Sequence, residues 1–211
     1  MNKRILLWIG AAVAILAVFG LLWWVGTSVK DVTPYVQGDQ IQGSTSAPII
    51  LTEYGDYQCP FCGTFYPWIK QAQKEFGDKL AVVYREFPLS EIHPNANAAG
   101  WAAEAAAKQG KFWEMHDQLF ASQAYWEKEQ NPITKFTDYA DTLGLNKDQF
   151  VKDYNSDEIH KKVEADRAAG EKIGINATPT IFLNGKSLTT LPQSYEELKQ
   201  KLNDILQNAG K

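Results

Sequence analysis

The apolar run Ile49 to Tyr54, IILTEY, is bounded by Pro48 and Gly55 and leads directly into Cys59-Pro60-Phe61-Cys62. Beyond it, Phe65, Trp68, Ile69, Ala72 and Phe76 recur at three- and four-residue steps. A short apolar run between turn residues predicts a buried strand, and that recurrence predicts an amphipathic helix whose C′ position falls on Gly77. A strand turning sharply into a helix commits the chain to a sheet with crossover helices, and here the turn carries two thiols. Pro60 suits the first helical position, where its missing donor costs nothing. Pro67 lies inside the helix and is expected to kink it.

Leu80 to Phe87, LAVVYREF, predicts a second buried strand. From His93 to Gly174 helical periodicity replaces strand patterning, over 98–108, 112–121, 134–143, 147–154 and 157–173. The tract AAEAAAK at 102–108 is ordinary helix, because Ala is the best helix former and Glu104 to Lys108 is a supporting pair. Thr180 to Leu183 runs into Asn184-Gly185, a two-residue hairpin signal with a returning strand from Lys186 to Thr189. Ser194 with Glu197 forms a capping box that opens a last helix through Leu198, Leu202 and Ile205. This order predicts an α/β fold: a mixed central sheet flanked by helices, with an all-helical subdomain inserted over about 93–174.

At the N-terminus, Ile5 to Val25 are uncharged and mostly apolar, and as a helix they would reach roughly 30 Å, a bilayer core. Lys3 and Arg4 precede the run and Trp23 and Trp24 close it, which predicts a single-pass anchor over 1–25 with everything after Val25 extracytoplasmic. Gly26 and Ser28 would also suit signal cleavage, but the run exceeds the usual signal core. Residues 26–48, rich in Gly and Ser, read as a tether; 26–32 are assigned to the linker and 33–211 to the domain. Since 1–25 hold two cations and no acid, the net charge of -4 becomes -6 beyond them, which excludes a nucleic-acid partner.

Cys59 and Cys62 are the only cysteines, and at this spacing they cannot staple distant parts of a fold. Backbone N–H groups at the helix start favour an anion, so Cys59 is expected to have a depressed pKa, in a range of roughly 3.5 to 7.5. Cys62, one turn inward, suits a resolving thiol. Zinc would need a second ligand pair, whereas His93, His116 and His160 are scattered and read as cap, loop or helix-surface residues. A structural disulfide closing so short a loop would stabilise little. A peptide-holding module using Tyr57, Phe61, Trp101, Trp113, Tyr125 and Trp126 is the alternative outside catalysis, and Phe61 is the one expected to be exposed.

SAPIILTEYGDYQCPFC (46–62), HPNANAAGWAAEAAAKQGKFWEMHDQLF (93–120) and GINATPTIFLNGK (174–186) resemble the DsbA-like branch of thioredoxin-fold thiol-disulfide oxidoreductases. The resemblance implies a thioredoxin-like fold and dithiol exchange without metal or organic cofactor. It implies that Cys59 is the nucleophile, Cys62 the resolving thiol, and Thr178-Pro179 a loop whose proline is cis and faces the cysteines. Pro60, Phe61, Thr178 and Pro179 would touch substrate. Glu53 would be the buried acid beneath the disulfide; an edge-facing surface carboxylate is its other reading. The implied activity is oxidation of unfolded exported protein thiols, with a quinone-linked membrane oxidase as partner; an envelope reductase or isomerase is the alternative. Phe61 departs from members with His there, and the loss of a donor beside the thiolate is expected to shift the potential toward reducing.

Overall fold

The sheet is built outward from the strand that carries Glu53. In the computed structural model, which describes residues 29–209, β2 (Ile49–Gly55) is buried at every position but Ile50, as expected of an apolar run covered on both faces. It pairs in parallel with β3 (Leu80–Glu86) in a register that sets Glu53 opposite Tyr84. A parallel pair requires a crossover, and α1 (Pro60–Phe76) with the turn Gly77–Lys79 supplies it. The helix continues through Pro67. On the other side β4 (Thr180–Leu183) runs antiparallel to β2, and β5 (Lys186–Ser187) closes that edge. With β1 (Gln40–Gln42) antiparallel on β3, the strand order is β1-β3-β2-β4-β5, a mixed sheet of thioredoxin type.

The helical insertion lies between β3 and β4: α2 (Ala96–Ala107), α3 (Phe112–Ala121), α4 (Gln123–Trp126), α5 (Ile133–Thr142), α6 (Lys147–Tyr154) and α7 (Asp157–Lys172). Its centre is α2, whose buried Ala99, Ala102, Ala103, Ala105 and Ala106 are small enough for neighbouring helices to approach closely. Asn146 and Ser156 cap α6 and α7 through their side-chain oxygens. The last helix, α8 (Tyr195–Ala209), starts as the capping box predicts on one side, Ser194 Oγ accepting from the Glu197 N–H at 3.3 Å. The return bond is displaced by one residue, because Glu197 Oε2 accepts from the Gln193 N–H at 2.8 Å.

Three sequence readings are corrected. The stretch read as a tether over 26–48 is, from Val29 on, part of the fold. Lys30 and Val32 donate to the Ile173 and Gly185 carbonyls, Gln40–Gln42 form the edge strand, and Asp39 holds the Arg85 guanidinium through two hydrogen bonds of 3.0 and 2.7 Å. What anchors it is a distant ion pair that local composition does not reveal. His116 is not on a helix surface; it is buried among the rings of Tyr57, Tyr84 and Phe120. The returning hairpin strand is shorter than expected and ends at Ser187. The turn itself is as read: Asn184 and Gly185 both have positive φ, 49° and 81°. Gly185 is further required by proximity, since a Cβ there would lie 2.1 Å from the Val32 carbonyl oxygen. The span read over 5–25 lies outside the described residues; among those described, no helix is long and apolar enough to cross a membrane.

Candidate active site

Cys59 is the N-cap of α1, with extended backbone dihedrals, and Pro60 follows at the first helical position. The helix presents its unpaired N–H groups to the Cys59 sulfur, while Cys62 lies one turn inward and fully buried. The Cys59 thiol donates to the Thr178 carbonyl at 3.4 Å, and the Thr178–Pro179 peptide is cis. Both cysteines are free thiols.

The two thiols ionise very differently. The Cys59 pKa is lowered to about 5, first by a hydrogen bond from the Cys62 thiol, with burial opposing it. The Thr178 side chain and the N–H groups of Cys62 and Phe61 add to the lowering. The helix start therefore contributes as expected, but the neighbouring thiol contributes most. Cys62 is pushed well up by burial, by donating to Cys59, and by the negative charges of Glu53 and Cys59.

Glu53 lies beneath the pair on the central strand, 2% exposed, between Tyr84 of β3 and Ile181 of β4 in register. Burial pushes its pKa up to about 8, the Cys59 charge raises it further, and a hydrogen bond from Cys62 works the other way. Its Oε1 has no hydrogen-bond partner. The single Cys62 proton thus has two acceptors, the Cys59 sulfur and the Glu53 carboxylate, an arrangement suited to moving that proton from sulfur to oxygen.

Beside Cys59 opens an uncharged cavity of about 530 Å³, lined by Phe61, Thr64, Phe65, Trp68, Ala177, Thr178, Pro179, Leu191, Pro192 and Gln193. Phe61 stands 74% exposed at its rim and Pro60 is exposed beside it. Of the other aromatics named as a peptide-holding surface, Tyr57 and Trp126 are core residues and Trp101 and Trp113 are half-buried; only Tyr125 is exposed with Phe61.

The cysteine turn is strapped from three directions by residues that sequence reasoning missed. Asp56 accepts from the Gln58 N–H at 2.7 Å, from the Leu89 N–H at 2.9 Å and from His93 Nδ1 at 2.7 Å. Gln123 Nε2 in α4 donates to the Tyr57 and Cys59 carbonyls at 2.7 and 3.1 Å. Asn95 donates its N–H to Gln58 Oε1 and its amide to the Trp126, Glu127 and Glu129 carbonyls. The Asp56 to Gln58 contact is an Asx turn and was readable locally; the Gln123 clamp depends on a four-residue helix far away in sequence.

A family model described as thioredoxin matches residues 36–204. Among solved structures, BdbD from Bacillus subtilis in its oxidised form superposes with a TM-score of 0.75 at 26% identity, covering 86% of this chain and 100% of that one. The α-DsbA1 of Wolbachia pipientis gives a TM-score of 0.66 at 26% identity, covering 83% and 95%. Curated relatives include a protein of Mycobacterium sp. (strain KMS) named Na(+)/H(+) antiporter NhaA 1, 37% identical over 194 residues. That match takes 84% of this chain but only 30% of the relative, so the chain spans less than a third of that protein's length.

Proposed function

The chain belongs to the thioredoxin family and is a DsbA-like thiol-disulfide oxidoreductase, and from that premise we propose that it works as an oxidase, introducing disulfides into exported polypeptides. The observation that carries the direction is the contrast between Cys59, with a pKa of about 5, and the buried Cys62, kept as a thiol. A stabilised Cys59 thiolate favours the reduced enzyme, and so favours passing the disulfide on.

In the forward reaction a substrate thiolate attacks the Cys59 sulfur. The Cys59–Cys62 bond breaks, Cys62 departs with the electron pair, and Glu53 supplies the proton it takes up. A second substrate thiolate then attacks its own sulfur in the mixed disulfide and releases Cys59 as a thiolate. Substrate loses two electrons and the enzyme gains them. Thr178 holds the Cys59 sulfur, while Pro60, Phe61 and Pro179 bound the apolar cavity where the substrate chain would lie. Reoxidation falls to a membrane partner linked to quinone, and an anchor over 5–25 would hold the domain on the extracytoplasmic side within its reach.

Equilibration with glutathione tests the direction. A potential above about −200 mV supports the oxidase, and one near the about −270 mV of thioredoxin makes the protein a reductase. Phe61 favours the second reading, since its side chain, unlike its backbone N–H, offers no donor to the thiolate. Phe61→His is accordingly expected to raise the potential by about 30 mV or more, the equivalent of one interaction of about 1.4 kcal/mol. An unchanged potential would show that this residue does not act on Cys59.

Glu53→Gln is expected to slow proton exchange at Cys62 by about a hundredfold at pH 6 to 7, the low end of acid–base contributions. The deficit should narrow as pH rises toward the range where the thiol ionises unaided. Single-turnover reoxidation of the reduced enzyme by oxidised glutathione, the step in which Cys62 gives up its proton, measures it between pH 6 and 9, and a deficit independent of pH removes Glu53 from the reaction.

A further inference from the structure

Six buried side-chain oxygens among the described residues make no hydrogen bond: Glu53 Oε1, Tyr57 OH, Tyr84 OH, Glu86 Oε1, Glu104 Oε1 and Thr178 Oγ1. A polar group taken from water without a partner is costly, so such groups are few and each calls for an explanation. Thr178 faces Cys59. Of the other five, Glu53, Tyr84 and Glu86 are on the paired strands β2 and β3, Tyr57 is in the cysteine turn, and Glu104 is on α2 of the insertion.

Glu53 and Tyr84 are opposite one another in the β2–β3 pair, and Glu86, two residues further along β3, shares their sheet face. Gly55 stands opposite Glu86, and the space of its missing side chain is taken by Tyr84: a Cβ there would lie 2.6 Å from the Tyr84 hydroxyl. Tyr57 stacks on Tyr84 with ring centroids 5.0 Å apart. Glu86 reaches up to α2, where its Oε2 lies 2.9 Å from the place a Cβ on Gly100 would occupy. One turn along the same face of α2 is Glu104, which accepts from Gln40 Nε2 at 2.9 Å and lies 3.7 Å from Lys162 Nζ. Lys162 pairs with Asp166, and its side chain is 29% exposed, so these groups meet solvent there.

We propose that Tyr84 and Tyr57 relay protons between Glu53 and the Glu86, Glu104 and Lys162 cluster, giving Cys62 an exchange route to solvent through the insertion. The inference rests on Glu53 acting as the proton acceptor of Cys62. Each tyrosine takes a proton on oxygen as it gives up its own, so it is neutral before and after. One proton leaves Cys62, one is delivered to water at Lys162, and no electron moves. The route remains open while a substrate chain covers the Cys59 mouth. Burial and the charges of Glu86, Glu104 and Glu53 hold Tyr57 far from ionisation, which keeps it a relay and not a trap. The other titratable groups around the tyrosines are His116 on α3, edge-on at 5.6 and 4.9 Å, in contact with Tyr66 and bonded to Asp117, which Lys70 pairs, and Cys62 on α1; Asp56 in the turn and Asp166 on α7 act on Glu86.

Tyr84→Phe keeps the ring stack and removes the hydroxyl, and Lys162→Met alters the distant exit. Single-turnover reoxidation of the reduced enzyme by oxidised glutathione is followed from pH 6 to 9 in water and in deuterium oxide, with melting curves to confirm folding. Both variants are expected to be slowed about tenfold at pH 6 to 7, part of the acid–base contribution, with a larger solvent isotope effect and unchanged alkylation of Cys59. Rates within twofold of native for either variant overturn the relay, as does slowing that is equal at every pH. If Lys162→Met does not fold, Glu104→Gln replaces it. Native-like relay variants beside a slow Glu53→Gln overturn the route alone, whereas a Glu53→Gln protein of native rate overturns the assignment beneath it.

Discussion

Iodoacetamide at pH 6 is expected to modify Cys59 and leave Cys62 untouched in the reduced protein. A thiol of pKa about 5 is about nine-tenths thiolate at that pH, whereas one at the ordinary 9.0 is only about one-thousandth ionised, and Cys62 lies well above that. The raw advantage of Cys59 is thus about a thousandfold. Intrinsic nucleophilicity falls with pKa, and a Brønsted slope of about 0.45 over four units returns roughly sixtyfold of it. More than about tenfold remains before access is counted, and access adds to it because Cys62 is fully buried. Peptide mapping after timed labelling gives the ratio. Equal or faster labelling at Cys62 would reverse the roles of the two cysteines.

Reduced protein is expected to gain stability over oxidised protein as pH rises from 5 to 9. The folded-state pKa of Cys59 is depressed, so its contribution is complete above the unfolded value near 9 and lost as pH falls through about 5. Between pH 5 and 7 a fully shielded thiolate would contribute about 2 kcal/mol, and solvent at the mouth of the cavity reduces this to about 1 kcal/mol. Glu53 acts with the opposite sign: its raised pKa makes its contribution complete below about 4.5 and lost as pH rises through about 8. Burial, the largest cause of that shift, acts in both redox states, so most of the Glu53 contribution cancels in the difference between them. For a domain of this size the reduced form should move by about 2–4 °C relative to the oxidised form between pH 5 and pH 7. Calorimetric melts of both forms at the two pH values decide it, and a gap that stays constant would mean that Cys59 is not a thiolate.

Much of this arrangement is legible in the chain because its central elements carry their own patterns. IILTEY is apolar enough to be buried on both faces, the α1 ridge repeats at helical spacing, and Asn184-Gly185 allows only one kind of turn. The edges are less legible. Gln40–Gln42 has the composition of a loop and becomes a strand because Arg85, far along the chain, fixes Asp39 beside it. Glu53 could not be placed from one strand, because only the neighbours on both sides decide whether a carboxylate is buried. The Thr178–Pro179 loop came from family resemblance, since nothing in those residues alone brings them to Cys59. Gln123 had no signal at all: its two carbonyl partners are set by the path of the insertion.

If the proposed anchor holds, the lock between Lys30, Val32 and the domain would also set the length of a leash. With the anchor proposed for 5–25, only residues 26–28 separate the bilayer from Val29, whose side chain packs on the Tyr54 and Phe182 cluster. Three residues reach at most about 11 Å even when fully extended. The domain would therefore ride against the lipid surface and meet a membrane-embedded oxidant by lateral diffusion. The strength of that encounter would then depend on surface density and orientation in the plane of the membrane, with effective concentration doing what contact area does for a soluble pair.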